Sequence, residues 1–311
     1  MGERQRTDTW PAYLALAASG ELAERVRQAI EALSECRLCA RSCGADRAGG
    51  ELGYCRTGRR APVASYGPHF GEERPLVGIG GSGTIFFANC NLRCIFCQNY
   101  DISLLGHGQE VAPQELAAMM LSLQRRGCHN INFVTPTHVL PQILEALEIA
   151  VHQGLRLPIV WNCGGYESVE ALRLLDGIVD IYMPDFKYGD ARWAAELSSA
   201  PDYPEVAEKA LREMHRQVGD LQIVDGLARR GLLVRHLVMP GNVAATENVM
   251  RILADISRDT YVNVMAQYRP CYKAVGHPVI GRRITSAEFR AAVQAALAAG
   301  LHRLDERWFI P

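Results

Sequence analysis

A chain of 311 residues with 48% hydrophobic and 22% charged residues has the composition of a globular protein that can bury a sizeable core. Its formal net charge of −1 gives no overall attraction to nucleic acid or to anionic lipid. Residues Met1 to Pro11 are polar, and no apolar run is long enough to span a bilayer, so we expect a cytoplasmic protein without membrane contacts.

The first predicted element is an amphipathic helix over residues 12–34, in which apolar residues recur at helical spacing. A segment rich in Cys, Gly and Arg follows and has little apolar periodicity. Its four cysteines, Cys36, Cys39, Cys43 and Cys55, are spaced C-x2-C-x3-C-x11-C. In a cytosolic chain this density indicates a metal site rather than disulfides. Two alternatives fit: a structural zinc ion, or an auxiliary iron-sulfur cluster.

From residue 84 onward, short apolar segments alternate with longer amphipathic ones, which predicts parallel strands joined by helices. Six such units fit either an open doubly wound sheet or a barrel. The predicted strands are Thr84–Ala88, Asn130–Val134, Leu157–Trp161, Ile178–Met183, Leu232–Val238 and Thr260–Met265. The predicted helices are Pro113–Arg125, Val139–Gln153, Ser168–Leu175, Pro204–Gln217, Ala245–Ser257 and Ser286–Ala298.

A second set of cysteines, Cys90, Cys94 and Cys97, follows the first of these strands with the spacing C-x3-C-x2-C. We call these three residues the triad. Three thiolates on one short loop can hold three irons of a cubane [4Fe-4S] cluster and leave the fourth iron open, which implies chemistry rather than electron storage. Zinc usually takes four protein ligands, whereas this loop offers three. A non-catalytic electron carrier would need a fourth ligand, for which Cys128 and Cys163 are the nearest candidates.

The triad, with Phe96 before its third cysteine, resembles the cluster motif of the radical S-adenosylmethionine (SAM) enzymes. The resemblance extends over about residues 76–270 and is closest to pyruvate formate-lyase activating enzyme and its uncharacterised relatives, which share Asp185-Phe186-Lys187 and the strand around Arg235. It implies an α/β fold, a partial parallel (β/α)6 barrel over residues 76–311, preceded by an N-terminal helix and a cysteine-rich metal-binding module over residues 1–75.

The resemblance also implies a SAM site at the carboxyl ends of the strands. Arg235 would pair with the SAM carboxylate by a two-pronged bond, and Lys187 would donate to the same carboxylate or balance its charge. Asp185 would accept from the amino group or the ribose. The family's second strand usually ends in Gly-Gly-Glu-Pro, whereas this chain has Thr135-Pro136-Thr137-His138 and lacks the carboxylate. The amino group would then be bound by Thr135, Thr137 or backbone carbonyls, and His138 is expected to be structural. The implied SAM contacts are Thr135, Thr137, Asn162, Asp185, Lys187 and Arg235.

The implied reaction is reductive cleavage of SAM to a 5′-deoxyadenosyl radical that abstracts hydrogen from a substrate. A flavodoxin- or ferredoxin-type protein would supply the electron. The nearest resemblance suggests an activase that makes a glycyl radical on a partner enzyme. Direct action on a small molecule, peptide or nucleotide is the alternative, and the sequence leaves the two open.

Overall fold

The computed structural model describes residues 10–305. Most of the polar N-terminal segment, residues 1–9, and the last six residues of the predicted barrel domain, 306–311, lie outside the described residues. The strands of the described part are β1 (Ala61–His69), β2 (Ser82–Phe87), β3 (Gln109–Val111), β4 (Ile131–Val134), β5 (Ile159–Cys163), β6 (Ile181–Pro184), β7 (Gln222–Val224), β8 (Leu227–Leu237) and β9 (Tyr261–Met265).

The helices follow the predicted order, and those with clear start signals begin at the predicted residue. They are α1 (Tyr13–Ser19), α2 (Glu21–Glu31), α3 (Arg74–Val77), α4 (Tyr100–Ser103), α5 (Pro113–Arg125), α6 (Leu140–His152), α7 (Val169–Leu174), α8 (Ala191–Ser198), α9 (Tyr203–Val218), α10 (Thr246–Ile256) and α11 (Ser286–Ala298). Pro113 occupies the first position of α5, and a capping box of Thr285 with Glu288 opens α11.

The prediction of a single helix over residues 12–34 is wrong in one respect, because the segment forms two helices, α1 and α2. Gly20 lies between α1 and α2 with φ of 80°, a left-handed conformation that ends the first helix. The hydrophobic pattern continues across this break because α1 and α2 both pack on α6. Periodicity alone therefore did not reveal it.

Six strands form a parallel set in the order β2-β4-β5-β6-β8-β9, and helices connect them along the chain. The predicted partial barrel of six strand-helix units is confirmed. Sequence analysis missed β1 and β3, which extend the sheet in the antiparallel sense next to β2. It also missed β7, which pairs with the first part of β8.

The interior of the barrel changes from apolar to polar along the strands. Near the amino ends, Val160, Ile181 and Leu233 form a small buried cluster with Leu76 of α3. Two residues further along β5 and β8, the side chains are Asn162 and Arg235. The apolar layer closes the bottom of the barrel, and the polar layer faces the carboxyl ends of the strands, where parallel α/β folds place their sites.

The segment between β1 and β2 enters the barrel and seals it. The Glu73 side chain is completely buried, and α3 lies against β8. The backbone carbonyl of Leu76 accepts a hydrogen bond of 2.9 Å from Asn130, next to β4. We call residues 70–81 the plug, because they join both sides of the barrel from inside.

The N-terminal residues pack on the barrel. Leu22, Val26, Leu33 and Leu38 belong to the same buried cluster as the outer faces of the barrel strands and helices. Strand β1, within the predicted N-terminal module of residues 1–75, is hydrogen-bonded to β2. Among the helices described for residues 10–305, none is long and apolar enough to cross a membrane.

Candidate active site

The loops that follow β2, β5 and β6 converge at the carboxyl edge of the sheet. A Cβ atom placed on Gly164, just after β5, would lie 2.8 Å from Leu92 in the triad loop and 3.8 Å from Cε of Lys187 after β6. Glycine at this position allows the approach without moving the Leu92 side chain. The triad loop and the Asp185-x-Lys187 turn, predicted separately from the sequence, are therefore neighbours.

The three triad thiols form an electrostatically coupled group. The pKa of Cys90 is raised to about 12, chiefly by burial and also by the adjacent thiols of Cys94 and Cys97. The Leu92 amide donates to the Cys90 sulfur over 3.3 Å, and the Ser103 hydroxyl donates to the Cys97 sulfur over 3.1 Å. Thiols this hard to ionise become thiolates when a metal centre compensates the charge.

This donor set fits three irons of a cubane. Among residues 10–305, no three His, Cys, Asp or Glu side chains are gathered closely enough to hold a single metal ion. A cubane instead takes each thiolate on a different iron. Hydrogen-bond donors point at the sulfurs of Cys90 and Cys97. Such donors orient thiolate ligands and partly offset their negative charge.

Lys187 supplies positive charge beside the triad. Its ammonium group pairs with the Asp185 carboxylate. Burial alone would lower the pKa of Lys187, but Asp185 and the Cys94 thiol raise it above its ordinary value. Lys187 therefore stays charged between a carboxylate and the cysteines, where it can bind an anionic group or balance the charge of thiolates.

An aromatic group fixes this turn beneath the triad. The Tyr203 hydroxyl accepts a hydrogen bond of 2.9 Å from the Lys187 amide and lies 2.9 and 2.8 Å from the carbonyls of Gly164 and Asp185. Tyr188 packs edge-on against Tyr203 and against Phe96 of the triad loop, with ring centroids 5.3 and 6.2 Å apart. These contacts hold the turn after β6 and the triad in one orientation.

Arg235 lies inside the barrel in a buried ion pair. Its Nε and Nη2 atoms donate to the two oxygens of Glu73 over 2.8 and 2.6 Å, and Nη2 also contacts Glu72. Its Nη1 atom lies 3.5 Å from the side-chain oxygen of Asn162. Glu73 therefore occupies the Nε and Nη2 donors of Arg235, which a two-pronged bond to the SAM carboxylate would need. The Nη1 atom is directed toward Asn162. A contact between Arg235 and SAM stays a prediction.

The end of β4 contains a strained residue. Thr135 has φ of 59°, a left-handed conformation that is rare for a β-branched side chain, and its amide donates to the Asn162 carbonyl over 2.8 Å. Two residues on, Thr137 is buried, and its hydroxyl donates to the carboxyl group of Glu167. Thr135 and Asn162 thus border the site, whereas the Thr137 hydroxyl is directed toward Glu167.

Other residues considered from the sequence lie in the core. His138 is buried with Nε2 2.8 Å from the Ala88 carbonyl, and burial lowers its pKa to about 4, as expected of a structural histidine. Cys163 is buried at the end of β5. Cys128 is buried before β4 begins, at the edge of the sheet opposite the triad.

A buried arginine that sequence analysis did not single out lies beside Cys36 of the second cysteine set. Arg47 is 1% exposed, and its Nη1 atom lies 3.4 Å from the Cys36 sulfur. Its other contacts are the carbonyls of Gly58 and His138, at 3.1 and 2.8 Å, and its Nε atom has no partner. Cys39 and Cys55 also influence each other electrostatically.

A buried guanidinium without an anionic partner is costly. None of the carboxylates described in residues 10–305 forms an ion pair with Arg47. Burial raises the pKa of the Cys55 thiol, whereas the charge of Arg47 opposes that rise. Thiolates at Cys36 and Cys55, formed when a metal binds, would supply the missing negative charge. The donor set therefore fits a metal centre with thiolate ligands.

The chain is similar to proteins of a known family. The model of the Radical SAM superfamily matches residues 84–241, about half of the chain. The chain is 34% identical over 282 residues to the uncharacterized protein MJ0674 of Methanocaldococcus jannaschii, covering 88% of this chain and 77% of that protein. The crystal structure of QueE from Escherichia coli aligns with a TM-score of 0.39 and 14% identity, over 79% of this chain and 92% of QueE.

His236 is hydrogen-bonded to the backbone of the Asp185-x-Lys187 turn, and its lowered pKa makes the stability of the protein depend on pH. Its Nδ1 atom donates to the Phe186 carbonyl over 2.7 Å, and its Nε2 atom accepts from Thr246 over 2.9 Å. Burial lowers its pKa from 6.5 to about 4, so the unfolded chain binds this proton at a higher pH than the folded chain. Acid therefore favours unfolding at this site, over the range from pH 6.5 down to about 4.

We expect this linkage to cost about 2 kcal/mol of stability between pH 7 and pH 5. Anaerobic urea denaturation of the wild type and His236→Gln at both pH values measures it. The stability advantage of the wild type should shrink by that amount at pH 5. A difference in stability between the wild type and His236→Gln that is the same at pH 7 and pH 5 would contradict the buried neutral state of His236.

Proposed function

Because the chain belongs to the radical SAM superfamily, we propose that it is an activating enzyme that installs a glycyl radical on a partner protein. A [4Fe-4S] cluster and SAM supply the family's chemistry, in which an electron splits the sulfonium bond and yields methionine and a 5′-deoxyadenosyl radical. The radical SAM reaction follows from the family. The protein substrate is the further step proposed here, with a flavodoxin- or ferredoxin-type protein as electron donor.

In this proposal, Cys90, Cys94 and Cys97 hold three irons, and the carboxyl ends of β4, β5 and β6 hold SAM. Asp185 accepts from the amino group or ribose, and Lys187 donates to the carboxylate. The strained backbone at Thr135 and the amide of Asn162 take the place of the missing glutamate. Arg235 supports this layer through Asn162, since its two-pronged edge is paired with Glu73.

The observation that carries the protein-substrate proposal is an apolar surface beside the triad, formed by Tyr100, Leu105, Tyr272 and Val275. We call these four residues the rim patch. Tyr100 stacks on Tyr272 with ring centroids 5.3 Å apart, and the Leu105 amide donates to the Tyr100 carbonyl. Leu105 is 52% and Val275 69% exposed. Contiguous exposed apolar residues beside a reactive centre suit contact with another protein.

Hydrogen bonds also connect the rim patch to the residues that would hold the cluster. Tyr100 begins α4, and Ser103 of the same helix donates to the Cys97 sulfur. On the other side, Gln98 donates to the Gln267 carbonyl over 3.2 Å, which joins the triad loop to the segment after β9. A protein docked on the rim patch would thus present its backbone next to the triad.

A charged substitution in the rim patch separates docking from radical generation. With a purified glycyl-radical enzyme from the same genome, Val275→Asp should lower the yield of glycyl radical at least about tenfold, because a charge would be buried in the contact. SAM cleavage without the partner should stay within about twofold of the wild type, since Val275 touches no proposed SAM contact. The glycyl radical is measured by electron paramagnetic resonance (EPR) and SAM cleavage by 5′-deoxyadenosine release.

The matched control is Leu297→Asp, which introduces the same charge at an exposed apolar residue of α11. It should activate the partner like the wild type. SAM cleavage without any protein radical, together with transfer of deuterium from a labelled small molecule into 5′-deoxyadenosine, would instead favour the alternative of direct action on a small molecule.

We also propose that Cys36, Cys39, Cys43 and Cys55 hold an auxiliary iron-sulfur cluster. The buried, unpaired Arg47 supports an anionic centre at these thiols. A Cβ atom on Gly53 would lie 2.8 Å from the sulfur of Cys43, an exposed residue, so the backbone at Gly53 passes close to this ligand. A zinc ion would need these thiolates to converge on one point, which residues 10–305 do not show, whereas a cubane takes each thiolate on a different iron. Metal content distinguishes the two alternatives.

Metal analysis of the Cys36→Ser/Cys39→Ser variant tests this second centre. Anaerobically reconstituted wild type should contain about four more irons per chain than the variant, because a cubane needs all of its thiolates. Inductively coupled plasma mass spectrometry counts iron and zinc together. Loss of one zinc with unchanged iron would contradict the cluster and establish a structural zinc site. Cys128→Ser is the control and should change neither metal.

A further inference from the structure

A single side chain joins the two cysteine loops. Arg41 lies between Cys39 and Cys43 of the second set, and its guanidinium reaches into the triad loop. Its Nε atom donates to the Asn91 carbonyl over 2.9 Å, and Nη2 donates to the Leu92 carbonyl over 3.3 Å. Both carbonyls lie between Cys90 and Cys94, so Arg41 connects a ligand loop of one centre directly to a ligand loop of the other.

The Arg41 guanidinium is held in place on all sides. Its remaining donors bond to the carbonyls of Ser198, at 2.8 Å, and Ser199, at the end of α8. Tyr54 and Tyr166 lie against its faces, with ring centroids 4.1 and 4.9 Å from Cζ. A planar guanidinium fixed by four carbonyls and two rings has one orientation, so it transmits a displacement of its own backbone to its partners.

A second link joins the loops at their other ends. Asn89, directly before Cys90, donates to the Arg56 carbonyl over 3.2 Å and to the Thr57 hydroxyl over 3.3 Å. Arg56 and Thr57 directly follow Cys55, and the Thr57 hydroxyl also bonds the Cys55 carbonyl. Each link therefore begins next to a ligand of one set and ends next to a ligand of the other.

Both links are flanked by strained backbone. Ser42 and Arg56 in the second set, and Asn89 and Arg93 at the triad, all have positive φ, between 42° and 69°. Non-glycine residues hold such conformations only where surrounding contacts impose them. Here the imposing contacts include those between the two loops, so the conformation of each loop depends on the other.

We propose that Arg41 and Asn89 couple the two centres, so that metal bound at the N-terminal cysteines positions the triad loop for SAM cleavage. The coupling rests on the proposed occupancy of both centres. Arg41 acts as a positioning residue, because it bonds the backbone of the triad loop. The second centre then controls the first mechanically, whether or not electrons pass between them.

The test compares Arg41→Ala, the Cys36→Ser/Cys39→Ser variant and the combination of all three substitutions. Arg41→Ala should slow 5′-deoxyadenosine formation by about tenfold and alter the EPR spectrum of the reduced triad cluster with SAM. The double-serine variant should show the same change in the triad spectrum. The combined variant should be no slower than the slower parent, because without metal at the second centre the Arg41 link has no effect left to transmit. Independent effects that multiply would overturn the coupling.

Arg37→Ala is the matched control, since Arg37 also lies between two cysteines of the second set but pairs with Glu35 at the surface. It should match the wild type in rate and spectrum. If Arg41→Ala does not fold, Asn89→Ala removes the second link alone and should alter the triad spectrum in the same direction. A triad spectrum identical to that of the wild type in the folded variants would overturn the proposal.

Hydrogen exchange separates failure of the coupling from failure of the proposed function. Amides of residues 88–98 should exchange faster in the Arg41→Ala and double-serine variants than in Arg37→Ala, whether or not the protein cleaves SAM. Unchanged exchange there overturns the coupling. Absence of SAM cleavage in a cluster-loaded wild type with the expected exchange pattern would instead reject the enzymatic function alone.

Discussion

The interaction on which the rest of the site depends is the buried pairing of Arg235 with Glu72 and Glu73. It joins β8 to the plug inside the barrel, and Asn263 of β9 donates to the same Glu73 carboxylate over 2.6 Å. Removing one partner from such a group leaves an uncompensated buried charge, at a cost of about 3–5 kcal/mol. The pairing therefore holds the plug against β8 and fixes Arg235 in the polar layer below the carboxyl ends of the strands.

The site has two parts, and each is held in position in a different way. The barrel supplies a rigid floor with Asn162, Asp185 and Lys187 at its rim. The triad loop above has little regular structure and depends on outside contacts for its conformation. Aromatic packing beneath Phe96 and the guanidinium of Arg41 provide these contacts. These contacts hold in place a reactive centre that lies on an irregular loop.

Sequence analysis predicted the parallel strands well, because each is an apolar segment bounded by polar residues. It missed β1, where Pro and Gly interrupt any alternation along Ala61–His69. It missed Glu72 and Glu73, because two glutamates beside glycine and arginine are typical of a solvated turn, and only pairing across 162 residues makes them internal. It also missed Arg41 and Arg47. Their partners are backbone carbonyls and, for Arg47, the thiol of Cys36, so no charged partner in the sequence indicates that either arginine is buried.

The central claim is that the triad holds a cluster with an open iron at which SAM is cleaved. Its most direct test is quantification of 5′-deoxyadenosine after anaerobic reconstitution with iron and sulfide, followed by dithionite reduction with SAM. We predict equal amounts of methionine and 5′-deoxyadenosine from the wild type and none from Cys94→Ala, which retains the fold. A wild-type protein loaded with its full complement of iron that forms no 5′-deoxyadenosine would contradict the claim.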